Sequence, residues 1–311
     1  MNNKRERPHR RPLYVRGERM NIINVKEKGS ITFQISVIGL GGNGSHFVRT
    51  MLQMMSGLKS SSDANVSFDI TLVDADRVEE KNFHRQLFDE DDLGEYKVVS
   101  LVDRYAEYYG VPCKAVREYV TSTEMLGKLF GEGDIFIGPE EQVVRILIGL
   151  VDNNKTRQLF HEFFESTALE NFIWIDAGIE GVMQFENPTK EQQLLIDCSG
   201  YGGQVVCGLK YRGHTILEPV TRVYPNILED RNTSFPGQSC GDVIVNFPQR
   251  LATNQMAAQI VASYLNNLIN QYSIFKHKVN FNAQFAQSKP TFISKDAFEK
   301  YEGLKRGEDT F

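Results

Sequence analysis

The sequence predicts an α/β fold: a mostly parallel sheet with helices on both faces, extended by an antiparallel portion in the C-terminal half. Three observations predict it. Short apolar runs rich in β-branched residues alternate with stretches of helical periodicity from about residue 31 to residue 177. A glycine cluster, Gly39, Gly41, Gly42 and Gly44, stands between the first apolar run and the first helical stretch. From residue 182 to 211 the pattern changes to short alternating strands and turns.

Each element follows in turn. Residues 35–40 are short, apolar and β-branched, so a buried strand is expected. Gly39, Gly41 and Gly44 then give G-x-G-x-x-G, a tight turn that lets backbone N–H groups approach a phosphate. Residues 45–55 continue as a helix whose positive N-terminal end faces the anion. A second strand at 68–73 ends at Asp74, whose carboxylate can accept ribose hydroxyl protons. The Ser-rich stretch 59–65 is a loop inserted before that strand. Together these make the sheet Rossmann-like and the glycine turn a nucleotide site.

Residues 82–92 are polar and irregular, and 94–109 have helical spacing, with Val98, Leu101, Val102 and Tyr105 on one face. A third strand is expected at 113–120, a short helix opened by a Thr or Ser cap at 121–130, and a loop or hairpin insertion at 131–141. The apolar run 145–151 is a strand ending at Asp152, followed by a helix at 153–166. Residues 172–177 form another buried strand, closed by a turn at Gly178 and Gly181. Residues 217–242, with Pro219, Pro225 and Pro236, are loop-like. A long apolar-faced helix is expected at 248–269, a terminal hairpin from 275–281 and 290–293, and a charged, peripheral tail from 294.

Composition narrows the function. The chain of 311 residues, 41% hydrophobic, holds one large α/β domain with additions or two small ones. Its net charge of −5 argues against general nucleic-acid binding. Lys4, Arg5, Arg7, Arg10, Arg11, Arg16 and Arg19 concentrate basic charge in an N-terminal arm, expected to be a solvated tail. No run is apolar enough for a secretion signal or a membrane span, so the expected location is cytoplasmic. The four cysteines, Cys113, Cys198, Cys207 and Cys240, form no C-x-x-C pair, which removes a structural zinc signature and fits reduced thiols.

Strand carboxyl ends converge on the ligand crevice of such a sheet, so Asp74 and Asp152 face it. Arg85 and Lys97 supply cationic donors suited to a triphosphate, beside the polar Asn82 and Gln86. Asp152 suits Mg2+, which takes oxygen ligands and bridges substrate phosphates. An NAD(P)-dependent oxidoreductase is the competing reading of G-x-G-x-x-G and Asp74; it leaves Asn82, Arg85, Lys97 and Asp152 without a role.

That ordered set resembles the ThiF/MoeB/HesA family, the adenylating enzymes that include the ubiquitin-activating enzymes. The shared pattern is the glycine turn at Gly39–Gly44, Asp74 and Asp76 at a strand end, Asn82, Arg85 and Gln86 as N-x-x-R-Q, Lys97 downstream, and Asp152 with Asn153 opening a helix. It covers residues 31–181, more weakly to about 265. The resemblance implies ATP-dependent adenylation of the C-terminal carboxylate of a ubiquitin-like protein, with the glycines cradling phosphate and Asp74 on the ribose. Asn82, Arg85 and Lys97 would hold the triphosphate, and Asp152 would carry Mg2+. Gln86 would orient Arg85 or the nucleotide. Asp76 either binds nucleotide or caps the turn. It further implies a homodimer, and domains at 1–30 (basic arm), 31–272 (adenylation) and 273–311 (hairpin and tail).

Many members pass the adenylate to a cysteine on a mobile loop before the last long helix. Cys240, in SFPGQSCGD, stands there; Cys198 is the runner-up, and Cys113 and Cys207 belong to apolar strands. The segment around Cys240 is most similar to the ThiF proteins of PRTRC-type bacterial gene clusters, which also encode a ubiquitin-like protein, a conjugating-enzyme-like protein and a JAB-type peptidase. Activation of a sulfur carrier, with a persulfide at Cys240, is the alternative within the family. Two departures stand out. The paired C-x-x-C zinc site of many members is missing, and so is the R-Y-x-R-Q motif that often reaches the partner subunit's site; Arg11, Arg16 or Arg19 matches that role poorly.

Overall fold

The computed structural model describes residues 14–15, 18–27, 29–60, 66–131, 140–231, 233–235 and 249–307. In the first half, β1 (Ser30–Ile38) leads through α1 (Gly42–Ser60) to β2 (Val66–Val73). Next come α2 (Lys97–Leu101), β3 (Lys114–Val116), α3 (Thr123–Leu129), β4 (Glu141–Gly149), α4 (Asn154–Ser166) and β5 (Phe172–Ile179). The second half adds α5 (Lys190–Cys198), β6 (Gly202–Tyr211), β7 (His214–Leu217), α6 (Leu251–Gln271), the hairpin strands β8 (Lys276–Asn282) and β9 (Gln287–Phe292), and α7 (Lys295–Arg306).

Among the described residues a nine-stranded sheet runs in the order β9-β8-β6-β5-β4-β1-β2-β3, with β7 folded back on the end of β6. The five strands β1 to β5 are mutually parallel, and β6, β7, β8 and β9 pair antiparallel. This is the expected mixed architecture. Parallel strands are covered on both faces, so they carry nearly unbroken apolar runs; β5 has every residue from Phe172 to Gly178 buried.

Two apolar layers do the covering. On one face Phe47, Met51 and Met55 of α1 join Val261, Leu265 and Leu268 of α6 over Ile35, Ile146 and Val205. On the other, α4 lays Phe160, Phe163 and Phe164 against Phe172 and Trp174, with Phe160 edge-on to the indole at 5.8 Å between centroids. Fully burying such a side chain stabilises the fold by about 1.5–3 kcal/mol each.

Several elements differ from expectation, each for a local reason. Residues 182–211 hold a helix, α5, and one long strand rather than short strands and turns. A reciprocal cap between Thr189 and Gln192 starts α5, but none of its side chains is buried, so it shows no apolar stripe to recognise. The helix expected over 94–109 starts at Lys97 and loosens into a π turn at Val102–Ala106 before a last α turn, Glu107–Tyr109. The third strand shrinks to Lys114–Val116 and leaves Cys113 outside it, half-buried. Short helical turns, Val220–Val223 and Asn226–Glu229, interrupt the loop expected over 217–242, of which 232 and 236–242 lie outside the described residues.

The C-terminal tail is docked rather than peripheral. Ser294 caps α7, Tyr301 and Leu304 are buried, and the Tyr301 hydroxyl donates to Asn24 O at 2.6 Å. The terminal hairpin forms as expected, and β8 pairs with β6, so the hairpin continues the main sheet. Ile23–Asn24 pairs with Ser273–Ile274, tying the two ends of the chain together. Most of the insertions expected at 59–65 and 131–141, namely residues 61–65 and 132–139, lies outside the described residues. Among the described residues no helix is long and apolar enough to cross a membrane.

Candidate active site

The strand order reverses between β1 and β4, the position where sheets of this kind open a crevice at the carboxyl ends of their strands. A cavity of about 1570 Å3 occupies it.

Its floor is the glycine turn. Gly39 has φ +92°, and a Cβ there would sit 2.7 Å from Leu150 O, so only glycine lets β1 leave flush against the end of β4. A Cβ on Gly44 would meet Gly39 O at 2.1 Å, which closes the turn on itself. The helix starts at Gly42, earlier than expected, so Gly42 and Gly44 belong to its first turn. That turn contains no acidic side chain, and Gly41, Gly42 and Asn43 border the cavity, so an anion can approach the positive end of α1.

The two carboxylates after β2 are held differently. Asp74 is buried; its oxygens accept the Leu40 N–H at 2.6 Å and the Asp76 N–H at 2.8 Å, stitching β2 to the glycine turn. Burial, then the charge of Asp76, pushes the Asp74 carboxyl up to about 6. Asp76 stands more open, with 44% of its side chain exposed, and pairs with Lys97 Nζ at 2.9 Å while accepting the Tyr119 hydroxyl. Burial alone would raise its carboxyl, but Lys97 and Tyr119 outweigh that and leave it below the usual range. Burial and the hydrogen bond to Asp76 in turn push the Tyr119 phenol up. Tyr119 had no signal in the sequence, because it reaches Asp76 from another strand end.

The segment carrying Asn82, Arg85 and Gln86 folds over the mouth of the turn. Asn82 Oδ1 accepts the Glu79 N–H at 2.8 Å, which leaves its amide nitrogen as the group available to a ligand. Ser45 of α1 accepts the Leu87 N–H at 3.2 Å, and Arg104, in the π turn, donates to Leu87 O at 2.9 Å; both clamp the segment to the helices. Among the described residues Arg85 Nε and Gln86 Oε1 are buried without hydrogen-bond partners, and both residues line the cavity. Lys97 is itself nearly buried, and its ammonium keeps two donors beyond the one given to Asp76.

On the opposite wall, Asn153 caps α4 by accepting the Thr156 N–H at 2.8 Å, which leaves Asp152 exposed at the helix start. Arg157, which sequence reading missed, reaches back from α4. It donates to Asp176 Oδ1 at 2.9 Å, to Val151 O at 2.6 Å and to Ala177 O at 3.1 Å, and so binds the ends of β4 and β5 on either side of Asp152. Burial raises the Asp176 carboxyl despite the guanidinium beside it. The described residues contain no cluster of three His, Cys, Asp or Glu fit to hold a metal by themselves. A lone carboxylate at the rim fits Mg2+ that takes most of its ligands from substrate phosphates and water.

The structure thus gathers Gly39, Gly41, Gly42, Asp74, Asp76, Asn82, Arg85, Gln86, Lys97 and Asp152 around one cavity, with Gly44 just behind. Cys240 lies outside the described residues, as do Arg11 and Arg16. Cys198 is exposed at the end of α5. Cys207 is buried in β6, where burial pushes its thiol up to about 12 and leaves it inert at neutral pH.

A family model described as the ThiF family matches residues 26–201. No curated protein matches the sequence. Among solved structures, PaaA aligns at 20% identity with a TM-score of 0.51, over 85% of this chain and 64% of that chain. A crystal structure of E. coli MccB with AMPCPP and selenomethionine MccA aligns at 14% identity with a TM-score of 0.51, over 84% and 64%. At such identities the likeness concerns the fold, and this chain spans 64% of the length of either neighbour.

Proposed function

The chain belongs to the ThiF family, and on that premise we propose that it uses ATP to adenylate the C-terminal carboxylate of a polypeptide, in the finer reading a ubiquitin-like protein. One observation carries the proposal. A glycine turn at a helix N-terminus, an Asp76–Lys97 pair, a buried guanidinium nitrogen without a partner and the exposed Asp152 border the same cavity. A dinucleotide oxidoreductase has no use for the last three.

In this mechanism the glycine turn's N–H groups receive phosphate, and Asp76, the more open carboxylate, receives ribose hydroxyls. Asp74 shapes the turn rather than meeting the ligand. A substrate carboxylate oxygen attacks the α-phosphorus, the bond from that phosphorus to the bridging oxygen breaks, and pyrophosphate departs. Lys97 and Arg85 stabilise the charge on the phosphates as it shifts to the leaving group, which is electrostatic and positional catalysis. Asp152 would hold Mg2+, which when bound neutralises phosphate charge. Cys240 Sγ then attacks the acyl carbon and releases AMP, giving a thioester for a conjugating-enzyme-like partner. The cavity exceeds the roughly 300–1,000 Å3 of ordinary small-molecule pockets, which suits a nucleotide together with a chain end. The working unit in this reading is a homodimer.

ATP–pyrophosphate exchange tests it, with ubiquitin-like proteins and short peptides offered separately as substrates. Exchange that vanishes in Asp152→Ala and survives in Cys240→Ala supports adenylation and places the cysteine in a later step. ATP binding with no exchange on any offered polypeptide would sink the proposal. Exchange on short peptides alone would replace the ubiquitin-like reading with a peptide-modifying one.

A further inference from the structure

The residue after Gln86 is held from two sides. The Leu87 N–H donates to Ser45 Oγ of α1 at 3.2 Å, and Leu87 O accepts Arg104 Nη1 at 2.9 Å. The same guanidinium donates through Nη2 to Asp92 Oδ2 at 2.7 Å and to Asp89 Oδ2 at 3.0 Å. Asp92 Oδ2 also accepts the Asp89 N–H at 3.0 Å, so Arg104 closes one hydrogen-bonded unit from Leu87 to Asp92. Directly before that unit stand Arg85, whose Nε is buried without a partner among the described residues, and Gln86, whose Nε2 lies 3.8 Å from where a Cβ on Gly41 would sit. Phe83 and Phe88 seat the segment on the core, but apolar contact has no direction. Direction comes from the hydrogen bonds at Leu87.

Arg104 reaches Leu87 from an irregular place. The helix that begins at Lys97 widens to a π turn over Val102–Ala106, with Arg104 as the middle residue. The buried positions on either side, Leu101 and Ala106, stand five residues apart, wider than the spacing of a regular helical face. Residues 102–106 read VDRYA and contain neither proline nor glycine to force the distortion. Such turns occur mostly as single insertions in helices, frequently at functional sites. We propose that Arg104 is a positioning residue for the nucleotide site: by fixing the Leu87 carbonyl and the Asp89–Asp92 turn it sets the direction in which Arg85 and Gln86 face the phosphates, and the π turn is retained because it brings Arg104 there. One stretch of helix then supplies Lys97, which pairs with Asp76, and the residue that aims Arg85. This rests on the nucleotide reading given above.

Calorimetric titration of the full chain with AMPCPP and Mg2+, alongside thermal unfolding, tests it in a cycle with Arg85. Arg104→Ala should raise Kd about tenfold. Added to Arg85→Ala it should raise Kd much less, because the side chain it aims is gone, while the unfolding midpoint falls equally in both backgrounds. A merely structural residue gives equal losses of affinity in both. Arg104→Lys keeps a charge beside Asp92 but loses the planar fork that serves Leu87 O and both carboxylates together. It should hold the midpoint near wild type and still weaken binding, which keeps the test open if the alanine variant does not fold. Equal losses with and without Arg85, or an unchanged Kd in either Arg104 variant, overturns the proposal. A wild-type chain that binds no AMPCPP overturns the nucleotide reading and this proposal together, so the two failures are distinct.

Discussion

Asp74 accepts the backbone N–H of Asp76 at 2.8 Å, so the first carboxylate of the D-x-D strand end holds the second in place. The inner one is tied to the backbone and the outer one is turned to Lys97, Tyr119 and the cavity. The two should therefore separate in experiment.

Replacing Asp74 with alanine strands the N–H groups of Leu40 and Asp76 and should lower unfolding free energy by about 1–3 kcal/mol in urea denaturation. Asp76→Asn keeps one of the two acceptor oxygens that Lys97 and Tyr119 use and removes the charge. It should change stability less and weaken ATP binding by about tenfold, or about 1.4 kcal/mol. Equal effects of the two substitutions on both readouts would reject the division.

The pH dependence follows from the same pair. Asp74 titrates at about 6 in the fold against 3.8 unfolded, so between those values the folded state holds the extra proton. Its contribution is present in full below pH 3.8 and is lost as pH rises through about 6, roughly 3 kcal/mol at 1.36 kcal/mol per unit. Asp76 has the opposite sign: its depressed carboxyl contributes above its unfolded value of 3.8 and loses that contribution below it. Unfolding free energies of wild type minus Asp74→Asn, measured from pH 4 to 6.5, should fall as pH rises. A flat or rising difference would contradict the assignment.

Two glycines should respond oppositely to alanine. Gly39→Ala forces a Cβ to 2.7 Å from Leu150 O at φ +92°, and should destabilise the fold and abolish nucleotide binding. Gly57 sits inside α1 with open space where a Cβ would go, so Gly57→Ala should stabilise by about 0.5–1 kcal/mol with ATP affinity unchanged. Denaturant midpoints and calorimetric Kd values check both.

Arg157→Ala leaves the Asp176 carboxylate buried and uncompensated and frees the carbonyls of Val151 and Ala177, a loss of about 3–5 kcal/mol. Replacing Arg157 and Asp176 together by leucine should recover much of that stability. Adenylation should stay impaired, because the strand ends flanking Asp152 are no longer tied together. Full activity in the double variant would show that Asp152 holds its place without Arg157.

Legibility in the sequence tracked chain distance. The β1–glycine–α1 unit was readable because a strand run, a turn that admits only glycine and a helix stand next to one another. The cap of α3 was readable for the same reason: Ser122 acts on an N–H three residues ahead. Elements without a buried face escaped, and α5 was mistaken for turns although its Thr189–Gln192 cap was present. Arg157, Tyr119 and Asn254 escaped because their partners, Asp176, Asp76 and Gly42, come from other elements and no spacing rule links them.

By itself the sequence determined the parallel order of strands and helices, the position of the glycine turn and the set of polar residues at the strand ends. Those depend on steric limits and periodicities that act within a few residues. Only the tertiary structure decided which aspartate is buried against the turn and which stands open beside Lys97, that Arg157 binds two strand ends, and that the Asn254 amide packs against Gly42. Those outcomes depend on burial and on pairing across the sheet, which exist once the distant parts of the chain have packed.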